Sequence, residues 1–257
     1  MLFVLLSPAK KLEFGPIAPA VKQSQPALLK DTAVLAARAK TLTARDIARL
    51  MDVSPKLAEL NAARFQAFDP ANRGETRPAV FAFAGEVYQG LAAKTLSADD
   101  LAFAQDHVGI LSGLYGLLRP LDAIQPYRLE MGSALKTERG KDLHAFWRET
   151  LTAHLNKRLA KMKSPTVVNL ASDEYFGALD AGKIAATVIA PAFKEIKNGK
   201  PMALSFFFKR ARGLMARYIV QNRLTDPAQI KTFNLDGYAF DTTLSARDNW
   251  VFSRKAK

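Results

Sequence analysis

A chain of 257 residues, 49% of them hydrophobic and 24% charged, has a globular composition and enough length to bury a substantial core. The absence of cysteine excludes a disulfide framework and a thiolate metal site, and no apolar run approaches the roughly 20 residues of a membrane span. Lys and Arg total 37 against 24 acidic residues, a formal charge of +13 that favours polyanions such as nucleic acid or an anionic membrane.

The first apolar run, Leu2–Leu6 in MLFVLLSPAKKLEF, reads as a buried strand. It has neither the leading basic segment nor the small-residue cleavage site of a signal peptide, so a cytoplasmic location is expected. Gly15–Pro26, which contains Pro and Gln, is expected to wrap the surface. Helices are predicted over Ala27–Lys40, Ala44–Met51 and Pro55–Phe68, then a strand over Ala79–Phe83. Helices at Gly85–Ala93 and Ala98–Gln105 lead to a strand at Val108–Leu111. A long helix covers Lys141–Met162, followed by strands at Thr166–Leu170, Ala186–Ala190 and Met202–Phe206. The pattern ends with helices at Phe207–Asn222 and Pro227–Ile230 and strands at Ile230–Leu235 and Trp250–Ser253. Strands interleaved with helices, without repeat or linker, predict a mixed α/β fold. One domain is expected over residues 1–257, with a central, mostly β-sheet core surrounded by helices.

Within it, residues 43–68 read as a helix–hairpin–helix-like element. Thr43 with Asp46 forms a capping-box pattern, and Ser54 precedes Pro55 as an N-cap before a first-turn proline. In DNA-binding hairpins of this outline, backbone N–H groups at the second helix's start hold a phosphate, and nearby cations add charge. Ser54, Lys56, Arg45, Arg49 and Arg64 are placed for that role. The Asp52-Val53-Ser54-Pro55 turn lacks the glycines such a grip uses, and any short αα-hairpin has the same pattern.

Three predicted strands stop abruptly at polar residues: Leu2–Leu6 before Ser7 and Lys10, Val108–Leu111 before LSGLYGLLRPLDAIQPYRLEMG, and Thr166–Leu170 before Ser172 to Tyr175. Ligands collect beyond the carboxyl ends of parallel strands. If these three are parallel, Lys10, Arg119, Tyr127, Arg128, Glu130, Asp173, Glu174 and Tyr175 line one cleft. Turn and cap roles for the same residues are the competing reading.

Neither SPAKK nor GKDL is a phosphate-binding glycine loop. His107, His144 and His154 include no close pair, so no metal site is expected. No cofactor is predicted either. Late in the chain, FFFKRARGLMARYIV has helical two-facedness. Phe207, Phe208, Ala211, Leu214, Met215, Tyr218 and Ile219 take one arc, and Lys209, Arg210, Arg212 and Arg217 take the rest. This is expected to be a buried helix with a basic outer face that contacts DNA.

The ordered segments SPAKKL, FAGEVYQGL, LSGLYGLLRPLDAIQPYRLEMG, GKDLHAFW, NLASDEYF, KRARGLMARYIVQNRL and FNLDGYAFD resemble the YaaA peroxide-stress family across residues 7–241. The resemblance implies a cytosolic bacterial protein of hydrogen peroxide resistance, associated with lowering unincorporated iron and with DNA binding. It implies no settled reaction. The chain offers only scattered carboxylates for iron, which hold Fe(II) weakly. The expected partner is duplex DNA with weak sequence preference, and a small-molecule or base ligand stays open. The alternative is an enzyme acting on nucleic acid or a nucleobase, with Lys10, Asp173 or Glu174 as nucleophile or base and Arg119 and Arg128 orienting an anion.

Overall fold

The chain opens with Leu2–Leu6 (β1), buried at every position as a strand covered on both faces should be. Helices Leu29–Lys40 (α1), Ala44–Met51 (α2) and Pro55–Ala67 (α3) follow, then a short strand Arg77–Pro78 (β2). Next come Ala79–Ala82 (α4), Glu86–Leu91 (α5) and Ala98–His107 (α6). Strands Val108–Ser112 (β3), Gly116–Leu118 (β4) and Ala123–Ile124 (β5) precede the long helix Leu143–Leu159 (α7). Thr166–Leu170 (β6) leads into a short helix, Asp173–Phe176 (α8), and then Thr187–Ile189 (β7), Ala192–Lys197 (β8) and Lys200–Met202 (β9). Ser205–Gln221 (α9), Ala239–Phe240 (β10) and Val251–Lys255 (β11) complete it. This computed structural model describes residues 1–15, 21–246 and 249–256.

The central sheet has the order β4-β3-β1-β6-β7. Strands β3, β1, β6 and β7 are parallel, and β4 turns back antiparallel on β3 through Gly116, whose φ of 72° suits a residue without a Cβ. A second sheet, β10-β11-β8-β9, is held at its centre by the parallel β8–β11 pair. Between them runs α9, which touches α5, α6, β6 and β8. The fold is mixed α/β, as the interleaved pattern predicts.

Several elements differ from the pattern-based expectation. Ala79–Phe83 is not a strand: Ala79–Ala82 forms one helical turn, buried all round, and a short apolar run carries no period to tell helix from strand. Met202–Phe206 is split, its first residue ending the edge strand β9 and Ser205 starting α9. Ile230–Leu235 is a 3-10 turn over Pro227–Thr232 running into a loop. Strand β8 was not predicted, because its inward position 195 is a glutamate. Of the segment expected to wrap the surface, residues 16–20 lie outside the described residues, while Ser24 bridges to Asp122.

Candidate functional site

The chain leaves β1 toward β3 on one side and leaves β6 toward β7 on the other. Adjacent parallel strands whose connections diverge open a crevice at their carboxyl ends, where α/β proteins bind ligands. Ser7 and Ser172 span this point: the Ser172 N–H donates to Ser7 Oγ (2.8 Å), and the Ser7 hydroxyl donates to Ser172 Oγ (3.3 Å). Directly over them lies a cleft of about 1020 Å³, reached by residues of β6, α4, α5, α8 and α9.

Its walls are chemically sorted. Lys10 Nζ lies 2.7 Å from Glu130, whose other oxygen accepts from Arg128 at 2.8 Å. The Lys10 side chain is 65% exposed and Glu130 only 18%, so the glutamate is fixed and the lysine can swing away. Glu174 accepts a bond from the Gly132 N–H (2.8 Å), and Lys94 pairs with Glu13 (3.1 Å). The floor is apolar and aromatic. The Tyr88 hydroxyl donates to the Ser7 carbonyl (2.9 Å), and its ring lies 5.4 Å from that of Phe83. Burial pushes the Tyr88 and Tyr175 hydroxyls well above the usual tyrosine range; Tyr127, Glu174 and Glu130 push Tyr175 the same way.

Of the residues expected at this cleft, Lys10, Glu130, Glu174 and Tyr175 line it and Arg128 backs Glu130. Asp173 is exposed at the start of α8 and does not line it. Tyr127 is buried beneath, its hydroxyl 2.6 Å from Ser112 Oγ, and burial raises its pKa too. Arg119 is elsewhere: β4 runs antiparallel, carrying the chain back toward the amino end of β3, where Arg119 pairs with Asp122 (3.1 Å). Lining residues that the strand-end pattern did not single out include Lys11, Tyr88 and Lys94. Tyr88 lies in FAGEVYQGL, whose motif character was the one signal for it.

The basic residues divide sharply. In the α2–α3 hairpin the Thr43–Asp46 capping box forms as predicted, and the Leu57 N–H reaches Ser54 Oγ at 3.5 Å. Asp52 takes a left-handed conformation (φ 49°), doing the work a glycine would do in the turn. Arg45, Arg49 and Lys56 are exposed and Arg64 is half-buried, burial lowering its pKa. Among the described residues, none of these four has a carboxylate at ion-pair distance. A groove of about 520 Å³ beside α2 adds Arg38 and Lys136.

Helix α9 does not present a uniform basic outer face, because the second sheet covers one side of it. Arg210 binds Asp236 (2.7 Å), which also binds Arg254 (2.6 Å). Arg254 in turn is paired with buried Glu195, its neighbour across β11 and β8. Arg217 donates to the Leu91 and Ala92 carbonyls and to Thr95, at 2.9 to 3.2 Å. Lys209 and Arg212 line the strand-end cleft. No group of three or more metal-ligating side chains occurs among the described residues, and no described helix is long and apolar enough to cross a membrane.

A family model described as peroxide stress protein YaaA matches residues 1–244. The chain belongs to that family. It is similar to a UPF0246 protein of Cupriavidus metallidurans, 50% identical over 99% of both chains. Another, from Saccharophagus degradans, is 49% identical over 99% of this chain and all of its own length. A third, from Bordetella petrii, is 50% identical over the full length of both. The matched span takes in the Ser7–Ser172 crevice, the α2–α3 hairpin and α9, so the YaaA family likeness covers every surface described above.

Proposed function

We propose that this chain protects against hydrogen peroxide damage in the cytosol by binding duplex DNA with little sequence preference, through the α2–α3 hairpin and the adjoining groove. The observation that carries this reading is the contrast in pairing. Arg45, Arg49 and Lys56 are exposed and lack carboxylate partners among the described residues, while Arg210 and Arg217 are occupied within the protein. Cations free of internal partners can release counterions from a phosphate backbone. Ser54, Pro55 and Lys56 open α3 toward solvent, and because Pro55 has no N–H and Ser54 takes that of Leu57, the Lys56 N–H is the first-turn donor that adds to the same surface. Asp46 and Asp52 oppose the anion locally, which fits weak, distributed contacts. Family membership supports the peroxide role, and any lowering of unincorporated iron is an indirect effect of that role in this reading.

The test is fluorescence anisotropy with a labelled duplex. Binding is expected to weaken tenfold or more between about 50 and 200 mM salt if several phosphates are contacted, and to change little when the sequence is scrambled. Binding that ignores salt contradicts the reading. A second reading, an enzyme acting on nucleic acid or a nucleobase, is favoured by one observation: the Lys10–Glu130–Arg128 cluster sits in a crevice at a topological switch point.

A further inference from the structure

Two cations reach the strand-end cleft from α9, and, the exposed rim residue Lys11 apart, they differ from the others around it. Lys10 and Arg128 are tied to Glu130, Lys94 to Glu13, and Arg210 to Asp236. Lys209 and Arg212 have no carboxylate at ion-pair distance among the described residues. Arg212 is half-buried, with its guanidinium stacked 5.2 Å from the Phe208 ring centre. Burial lowers its pKa, and the charge of nearby Asp173 only partly offsets this. A guanidinium withdrawn from water without an ion-pair partner favours an incoming anion.

The remaining walls define what else that anion must carry. A free phosphate has no use for the apolar floor of Val80, Phe83, Tyr88 and Leu170. A paired duplex keeps its bases stacked inside and cannot lay them on that floor. The cleft volume of about 1020 Å³ is at the upper end of the range for small-molecule sites. Four carboxylates line the cleft: Glu130 and Glu13 are neutralised by their cations, Glu174 faces the Gly132 N–H, and Glu86 stands at the start of α5. They leave the Lys209–Arg212 side as the place for negative charge, and they can accept bonds from exocyclic amino groups.

We propose that the strand-end cleft takes one nucleotide unit, its phosphate on Arg212 and Lys209 and its base over the aromatic floor at Tyr88 and Phe83. The unit comes either from solution or from a nucleic-acid strand, extruded from its stack. The inference rests on the nucleic-acid reading above for its ligand class, and it uses a different surface.

The experiment is calorimetric titration of the full chain with dAMP and with inorganic phosphate, on wild type, Arg212→Gln and Arg212→Lys. Thermal unfolding of each variant verifies its fold. Wild type is expected to bind dAMP at least about tenfold more tightly than phosphate, since only the nucleotide covers the floor. Arg212→Gln should lose about tenfold of dAMP affinity, the worth of a charge-assisted hydrogen bond, and Arg212→Lys should recover part of it. Competition then separates the sources. If dAMP displaces a duplex containing a mismatch but not a fully paired one, the cleft takes an extruded unit. If it displaces neither, the ligand is a free nucleotide. No saturable dAMP binding, or an Arg212→Gln variant that is folded and binds dAMP as wild type does, overturns the proposal. In those cases duplex binding at the hairpin persists, so the two readings fail separately.

Discussion

Tyr127 and Glu130 lie three residues apart in one loop and have opposite roles. Tyr127 is buried, and its hydroxyl meets that of Ser112, which also accepts a bond from the Tyr115 N–H. Tyr127→Phe should therefore cost about 1 kcal/mol of stability, read by urea unfolding, and leave DNA affinity unchanged. A folded variant with altered DNA affinity would give Tyr127 a part in DNA binding. Glu130 holds two cations at the cleft rim. Glu130→Gln should free Lys10 and Arg128, tighten nucleotide binding several-fold, and shift stability by only about 1 kcal/mol, as befits a partly exposed pair. Weaker nucleotide binding in that variant would mean that Glu130 contacts the ligand. The buried tyrosines also set a pH window. Their folded pKa values lie above the ordinary 10, so the neutral form is favoured in the folded state. Their contribution is fully present below about pH 10 and is lost as pH rises from there toward the folded values. Unfolding free energies should be flat with respect to these groups from pH 8 to about 10 and fall from there toward about pH 11.

At the scale of elements, the α5–α9 crossing holds the cleft together. A Cβ at Gly213 would stand 1.8 Å from the Val87 carbonyl oxygen, and one at Gly90 would stand 2.2 Å from that of Arg210. Both neighbours are backbone, so the helices must separate. Gly213→Ala should destabilise by about 1–3 kcal/mol or more, and weaken nucleotide binding through displaced Lys209 and Arg212. Unchanged stability would show that the crossing can open without cost. Local signals made much of this level readable in advance. The Thr43 and Ser54 caps and the apolar runs of β1, β3 and β6 fixed their elements to within a residue or so. That Lys10, Glu130 and Glu174 meet at one cleft depended on β1, β3 and β6 being parallel, which the place where polarity begins does not say. Strand β8 was hidden because Glu195 occupies an inward position, and only its partner Arg254, about sixty residues later, explains why. Arg119 was misplaced for a related reason: nothing local says that β4 runs antiparallel. The same limit applies to α9. A helical wheel sorts its residues by polarity, but it cannot see that Asp236, in the turn before β10, takes up Arg210 or that the Leu91 carbonyl of α5 takes up Arg217.

At the scale of the whole molecule, the net charge of +13 says that polyanions are attracted and does not say where they land. The location follows from which cations the fold leaves unpaired. Arg45, Arg49 and Lys56 stay free on one hairpin, whereas two arginines of the more conspicuous basic helix are spent on joining it to its neighbours. The most direct measurement is the dependence of duplex affinity on salt for wild type, for an Arg45→Ala/Arg49→Ala/Lys56→Ala variant and for Arg217→Ala. Each lost phosphate contact shallows the log–log slope by about 0.9. The hairpin variant is expected to lose roughly two to three units of slope and most of its affinity while still melting as wild type does, and folded Arg217→Ala should keep the wild-type slope. A hairpin variant with unchanged slope, alongside a folded Arg217→Ala with a reduced one, would contradict the account and move the DNA surface back to α9.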